Sequence, residues 1–165
     1  MSQSVSPIPA GYHSVTPYLI VPDAVAAMEF YSQAFGAGHF MRMPGPGGQG
    51  TMHAEMKIGD SIVMLSDENP QWEMKSPGTL GGSPVSLMIY VEDVDAAFAR
   101  AVAAGCEVKF PVTHMFWGDR MGKLADPYGY QWSLASHVEE VPEAEMAARQ
   151  QAWLEEMAKA GCGEN

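Results

Sequence analysis

The spacing of apolar positions changes period along the chain, and it does so twice in the same order. A β-rich run, Ser14 to Val21, gives way to apolar residues at helical spacing, Ala27, Phe30, Tyr31 and Ala34. A second run, Val85 to Val91, leads to Ala97, Phe98, Ala101 and Val102 in the same manner. Asp23 and Asp93 stand where each helix needs an N-cap, and Gly36 and Gly105 stand where each should stop. Three short strands are predicted after the first helix: His39 to Met43, Thr51 to Ile58 and Ser61 to Ser66. Glu107 to Phe110, Arg120 to Ala125 and Tyr130 to Ser136 follow the second. The Gly/Pro loop 44 to 50, Gly59-Asp60 and Asp126-Pro127-Tyr128-Gly129 supply the turns.

The order β-α-β-β-β is therefore read twice, and an internal repeat says the same thing. Val21-Pro22-Asp23-Ala24-Val25-Ala26-Ala27-Met28 returns seventy residues later as Val91-Glu92-Asp93-Val94-Asp95-Ala96-Ala97-Phe98, with four of eight positions identical. The expected organisation is one α+β domain over 1–138. It comprises a first module at 12–66, a Pro/Gly-rich linker or flap at 67–84, and a second module at 85–138. Residues 139–165 form a helical tail, with Pro142 to Ala160 reading as an extra helix that places Met146, Trp153 and Met157 on or near one side. Its role is packing, on its own chain or on a partner. A two-module chain can close a cavity within itself or by exchanging modules between two copies, and the sequence does not choose.

Charge narrows the partners. Twenty acidic residues against nine basic ones give a formal charge of −11, unfavourable for a phosphate backbone or an anionic membrane surface. Glu139, Glu140, Glu143 and Glu145 gather before the tail helix, where negative charge suits a helix N-terminus. Two cysteines, Cys106 and Cys162, make neither a disulfide framework nor a zinc knuckle. Met1 to Gly11 lack the basic and apolar regions of a signal peptide, and no apolar run reaches the length of a membrane span. A soluble protein of the cytoplasm is expected, with no nucleic-acid and no membrane partner.

Several motifs in fixed order carry a family resemblance. They are Thr16-Pro17-Tyr18-Leu19, Phe30-Tyr31 before Phe35-Gly36, His53-Ala54-Glu55, Phe116-Trp117-Gly118-Asp119-Arg120, Asp126-Pro127-Tyr128-Gly129 with Trp132, and His137-Val138-Glu139-Glu140-Val141. From His13 to about Arg149 the chain resembles the vicinal oxygen chelate superfamily, which includes glyoxalases, bleomycin-resistance proteins and extradiol dioxygenases. Its PhnB-like branch is the nearest match. The resemblance implies two βαβββ modules forming an open β-barrel cavity for a small molecule, and a homodimer. Relatives often have His where this chain has Tyr130, so no role for that imidazole carries over. Some relatives are labelled as ubiquinone-pathway methyltransferases. Here the glycines at 45, 47, 48 and 50 lie between strands instead of opening a helix, so no methyl-donor cofactor is expected.

In metal-dependent relatives each module gives one ligand from its first strand and one from its last. The resemblance puts those positions at Thr16 and Met64, and at Ser86 and Ser133. Hydroxyls and a thioether make no first shell for a divalent ion, which needs imidazole nitrogen or carboxylate oxygen in about three positions. No metal is expected. His13 lies three residues before Thr16, and odd spacing on a strand sends it to the other face.

His53 and Glu55, two apart on a strand, share a face and offer an imidazole and a carboxylate for acid–base work or ligand hydrogen bonding. The plainer reading is a polar outer face, with Met52, Ala54 and Met56 turned to the core. Trp117 offers a flat apolar wall and Arg120 a planar fork for an anion, unless Arg120 pairs with Asp119 or Asp126 and Trp117 packs inside. His114 is expected in a loop facing solvent, and His137 where the last strand meets the tail. Most of the thirteen methionines are core, with Met64 at the cavity. Three functions follow as expectations. The first is a metal-free small-molecule binding protein using Thr16, Met64, Ser86, Trp117, Arg120 and Ser133. The second is a lyase or isomerase of glyoxalase type, or another reaction, run by His53 and Glu55. The third is an interaction module with a vestigial cavity.

Overall fold

The computed structural model describes residues 5–161. The opening residues 1–4, part of the segment read above for a signal peptide, and Cys162 lie outside the described residues. The first half runs β1 (Tyr18–Val21), α1 (Ala24–Phe35), β2 (Gly38–Pro44), β3 (Thr51–Ile58) and β4 (Ser61–Asp67). A short helix, α2 (Pro77–Leu80), interrupts the flap. The second half runs β5 (Ser86–Tyr90), α3 (Val94–Ala104), β6 (Glu107–His114), β7 (Asp119–Ala125) and β8 (Gln131–His137), and α4 (Glu143–Gly161) follows.

Each half folds into a four-stranded sheet, in the orders β1-β4-β3-β2 and β5-β8-β7-β6. The crossover helix makes β1 parallel to β4 and β5 parallel to β8, while hairpins make the remaining pairs antiparallel. The architecture is α+β with two sheets that are not joined into a barrel.

The caps read from sequence are formed. Asp23 accepts hydrogen bonds from the amides of Val25 and Ala26, Asp93 accepts one from Ala96, and such a cap is worth about 1 kcal/mol. The left-handed Gly36 (φ 69°) and Gly105 (φ 119°) end the two helices. Alanines 27, 34, 97 and 101 leave little side chain between α1 and α3, which pack on one another and close the core from the helix side. The core is contiguous across both halves, from Leu19, Val21 and Tyr31 to Trp132 and Leu134.

Most strand bounds differ from the sequence reading by one residue, and two larger boundary differences and one of burial have physical causes. Strand β1 begins at Tyr18 instead of Ser14, because the parallel ladder starts where the Met64 amide donates to the Pro17 carbonyl. Strand β6 continues past Phe110 to His114 in spite of Pro111. It is an edge strand, where a missing N–H costs no ladder bond, and its register shifts between Phe110 and Thr113. Met52, expected in the core, is exposed, because it lies at the end of β3 beside the flap and borders a small cavity with Trp72 and Met74.

Candidate functional site

Strand alternation gives each sheet one face beneath the helices and one free of them. In the first sheet Leu19, Val21, Ala54, Met56, Val63 and Leu65 are buried on the helix side. The opposite face presents one row across all four strands, Tyr18 opposite Met64, Met64 opposite Glu55, and Glu55 opposite Met41. His53 lies on that face two residues from Glu55.

These side chains form a hydrogen-bonded chain. The Tyr12 hydroxyl, from the segment ahead of β1, donates to Glu55 Oε2. Glu55 Oε1 is 3.1 Å from His53 Nε2, and His53 Nδ1 is 3.1 Å from the Tyr18 hydroxyl. Both contacts are satisfied when Tyr18 donates to Nδ1 and the Nε2 proton points to Glu55. The side chains of Glu55 and His53 are 17% and 21% exposed, so the pair is sheltered yet reachable. Donation from Tyr12, with a smaller contribution from His53, holds the Glu55 carboxyl below the usual range against the opposing effect of burial. The same contact raises the Tyr12 phenol. Tyr18 is the outer end of the chain, 43% exposed.

The second sheet carries a comparable group on its helix-free face. Asp119, 3% exposed, accepts from the Tyr90 hydroxyl (2.9 Å), Trp117 Nε1 (2.9 Å) and His137 Nδ1 (2.8 Å). Burial alone would raise the Asp119 carboxyl, but these donors together lower it. Asp119 in turn raises the imidazole of His137, helped by Glu140 at 3.4 Å. With three donors, Asp119 is close to saturated.

The residues singled out from sequence are therefore distributed unevenly. His53, Glu55 and Met64 meet on one face, joined by Tyr12 and Tyr18. Thr16 precedes β1, where its hydroxyl donates to the His13 carbonyl at 3.1 Å, and the register sets Tyr18 and not Thr16 opposite Met64. Ser86 is exposed opposite Gln131, and the buried Ser133 lies opposite Met88 and Lys123. Trp117 is engaged by Asp119. Arg120 points to the helix side of β7, where its guanidinium makes two hydrogen bonds to Asp95 at 2.7 and 2.8 Å. His13 approaches the exposed Asp60 at 3.8 Å, and His114 ends β6 instead of lying in a loop, exposed as expected.

The donor set does not fit a divalent metal. Thr16, Met64, Ser86 and Ser133 offer hydroxyls and a thioether, and replacing Thr16 by Tyr18 or Ser86 by Met88, as register suggests, adds only a phenol and a second thioether. Among the described residues no group of three or more His, Cys, Asp or Glu side chains converges as a metal site would require. Cys106 is buried and its thiol is pushed up to about 12, chiefly by burial, which leaves it an unreactive core residue. Between the halves lies a cleft of about 580 Å³, bordered by Val15, Pro17, Val63, Leu87, Met88 and Tyr90.

Sequence reasoning did not find Tyr12, Tyr18 and Tyr90 or the Asp119–His137 pair. Period-two spacing links His53 to Glu55, but no spacing links Tyr18 to His53 across 35 residues or Asp119 to His137 across 18. No described helix is long and apolar enough to cross a membrane.

The model of the Glyoxalase/Bleomycin resistance protein/Dioxygenase superfamily matches residues 11–134. An uncharacterized protein of Mycobacterium tuberculosis is 43% identical over 138 residues, which covers 82% of this chain and 81% of that protein. Among solved structures, TioX from Micromonospora sp. ML1 is similar with a TM-score of 0.60 and 27% identity, over 74% of this chain and 97% of TioX. A PhnB protein from Bacillus cereus shares the fold, with a TM-score of 0.52 and 20% identity over 75% of this chain and 99% of that one.

Proposed function

The chain belongs to the glyoxalase/bleomycin resistance protein/dioxygenase superfamily, and on that premise we propose that it is a PhnB-like, metal-independent small-molecule binding protein of the cytoplasm. Its ligand contacts the helix-free face of the first sheet at Tyr18, His53, Glu55 and Met64. The observation that carries this reading is the substitution of donors: where a metal-dependent relative gathers chelating groups, this chain offers Thr16, Met64, Ser86 and Ser133 beside an internally hydrogen-bonded Tyr12–Glu55–His53–Tyr18 chain. Phenol, imidazole and thioether groups suit an apolar or aromatic ligand with a few hydrogen-bonding atoms. Residues 1–138 form the binding domain, with modules at 12–66 and 85–138, and 139–165 an appended tail. A homodimer is proposed because Met43, Met88 and Tyr90 leave apolar surface exposed on the helix-free faces, which a second copy would cover.

The test is titration calorimetry with a panel of aromatic compounds on chelator-treated protein, alongside metal analysis of the untreated protein. Saturable binding without a metal and without turnover supports the proposal. A requirement for a divalent ion, or steady product formation, overturns it.

One observation favours a second reading. Glu55 orients His53, and His53 faces the Tyr18 hydroxyl, an arrangement that moves a proton from phenol to imidazole and stabilises the resulting imidazolium. A metal-independent lyase or isomerase would use Tyr18 as the group meeting the substrate, with His53 and Glu55 behind it. Activity untouched by His53→Ala would remove this reading.

A further inference from the structure

Tyr18 also borders a cavity of about 340 Å³ between the flap and strands β1 and β5, lined by Leu80, Val85, Leu87 and Tyr130 as well. The lining is mainly apolar, and its one charged residue is Lys75. In a chain of formal charge −11, the only formal charge on this wall is positive.

The four arginines are committed elsewhere. Arg42 bonds Thr51 and the Gly50 carbonyl, Arg100 the Ala34 carbonyl, Arg120 Asp95, and Arg149 both Glu139 and Glu145. Among the described residues Lys75 makes no ion pair. The flap segment that carries it is held in place. Glu68 Oε1 accepts from the Ser76 amide and the Thr79 hydroxyl, both at 2.6 Å, and the Gly82 amide donates to the Pro77 carbonyl at 2.8 Å. Pro77 packs so closely on Gly129 that a Cβ there would lie 2.9 Å from Pro77 Cβ.

The two phenols on the wall differ. Tyr130 is spent, since its hydroxyl accepts from the Ile20 amide and donates to the Ile20 carbonyl. Tyr18 is the end of the chain to His53 and Glu55. A cavity with apolar walls and one point charge selects a particular kind of molecule. We propose that it binds a small monoanionic carboxylic acid with an aromatic or aliphatic body, its carboxylate against Lys75 and its body against Leu80, Val85 and Leu87. A single ammonium, unlike an arginine fork, favours one negative charge, and the volume is at the small end of ligand pockets, roughly 300 to 1,000 Å³. This cavity adjoins the face that carries His53, Glu55 and Met64 without including them, so it is a second site that goes beyond the proposed function.

Three probes of one shape test it: phenylacetate, 2-phenylethanol and 2-phenylethylamine, each titrated by calorimetry and by amide NMR into the full chain and into Lys75→Met. The expected result is that phenylacetate binds most tightly and shifts the amides of Leu80, Gly82 and Val85. Lys75→Met then weakens phenylacetate by about two- to fivefold, the worth of one ion pair at an exposed lysine, and leaves 2-phenylethanol unchanged. Phenylacetate binding no tighter than the alcohol, or insensitivity to Lys75→Met, overturns the proposal. If the alcohol and amine shift these amides while the acid does not, the ligand class alone fails. If none of the three perturbs the protein, this proposal falls, while the reading of the Tyr18–His53–Glu55 face is decided by its own titrations.

Discussion

The Tyr31 hydroxyl on α1 donates a 2.7 Å hydrogen bond to Asp126 Oδ2, in the turn before β8 and 95 residues away. Asp126 is the buried meeting point of the two halves, since Trp132 Nε1 (2.8 Å) donates to the same oxygen and the amides of Tyr128 and Tyr130 (2.9 Å each) donate to the other. Burial first, and then the Asp126 charge, raise the Tyr31 phenol well above its ordinary value, so it serves only as a donor. Tyr31→Phe leaves Asp126 with three of its four donors, and a loss of about 1–3 kcal/mol is expected from urea unfolding. Asp126→Ala strands two side-chain donors and two amides at once, and should destabilise more than Tyr31→Phe.

Tyr130 links the halves a second way, by satisfying both backbone groups of Ile20 on the outer edge of β1. Strand edges invite unwanted pairing, and here a phenol occupies the edge. Tyr130→Phe keeps the ring's packing but frees an amide and a carbonyl. The expected cost is about 1–2 kcal/mol in the urea midpoint, with faster hydrogen exchange at the Ile20 amide.

The Asp119–His137 pair makes stability depend on pH, and the direction follows from the raised imidazole. A histidine whose folded pKa exceeds its unfolded value stabilises fully below the unfolded pKa, about 6.5, and loses that contribution as pH rises through the folded value. The gap in melting temperature between the wild type and His137→Gln should therefore be largest near pH 6 and narrow above neutrality. An NMR titration of the His137 ring should give a pKa above the ordinary histidine value, and Asp119→Asn should bring it down.

Gly118, at φ 98°, turns the chain into β7 and lies against the Glu139 carbonyl, whose strand-end neighbours Val138 and Glu139 both donate to the Gly118 carbonyl. A Cβ at this position would overlap the Glu139 backbone, and the positive φ adds strain of its own. Gly118→Ala is expected to cost about 2 kcal/mol or more, visible as a lowered melting temperature. A matching loss of protection should appear at the Val138 and Glu139 amides, because the turn and the strand end share these bonds.

Much of the fold was legible because its signals are local. Asp23 and Asp93 cap helices two and three residues away, and the repeat around Val21 and Val91 marks the same turn in both halves. The site was legible only in part. His53 and Glu55 are two residues apart on one strand, which is enough to put them on one face, whereas Arg120 was legible as a charge and not as a partner of Asp95 on α3. Lys75, inside a segment readable only as a Pro/Gly-rich linker, gave no signal at all.

By itself, then, the sequence determined the two βαβββ halves, their capped helices and the acidic charge, all of which depend on residue identity and short spacing. The tertiary structure alone decided which groups meet: Tyr18 with His53, Asp119 with His137, Tyr31 with Asp126, and Lys75 with the cavity beside Tyr18. The reason is that strand register and helix packing bring distant segments together, and hydrogen bonds between side chains far apart in sequence leave no periodic trace in the chain that makes them.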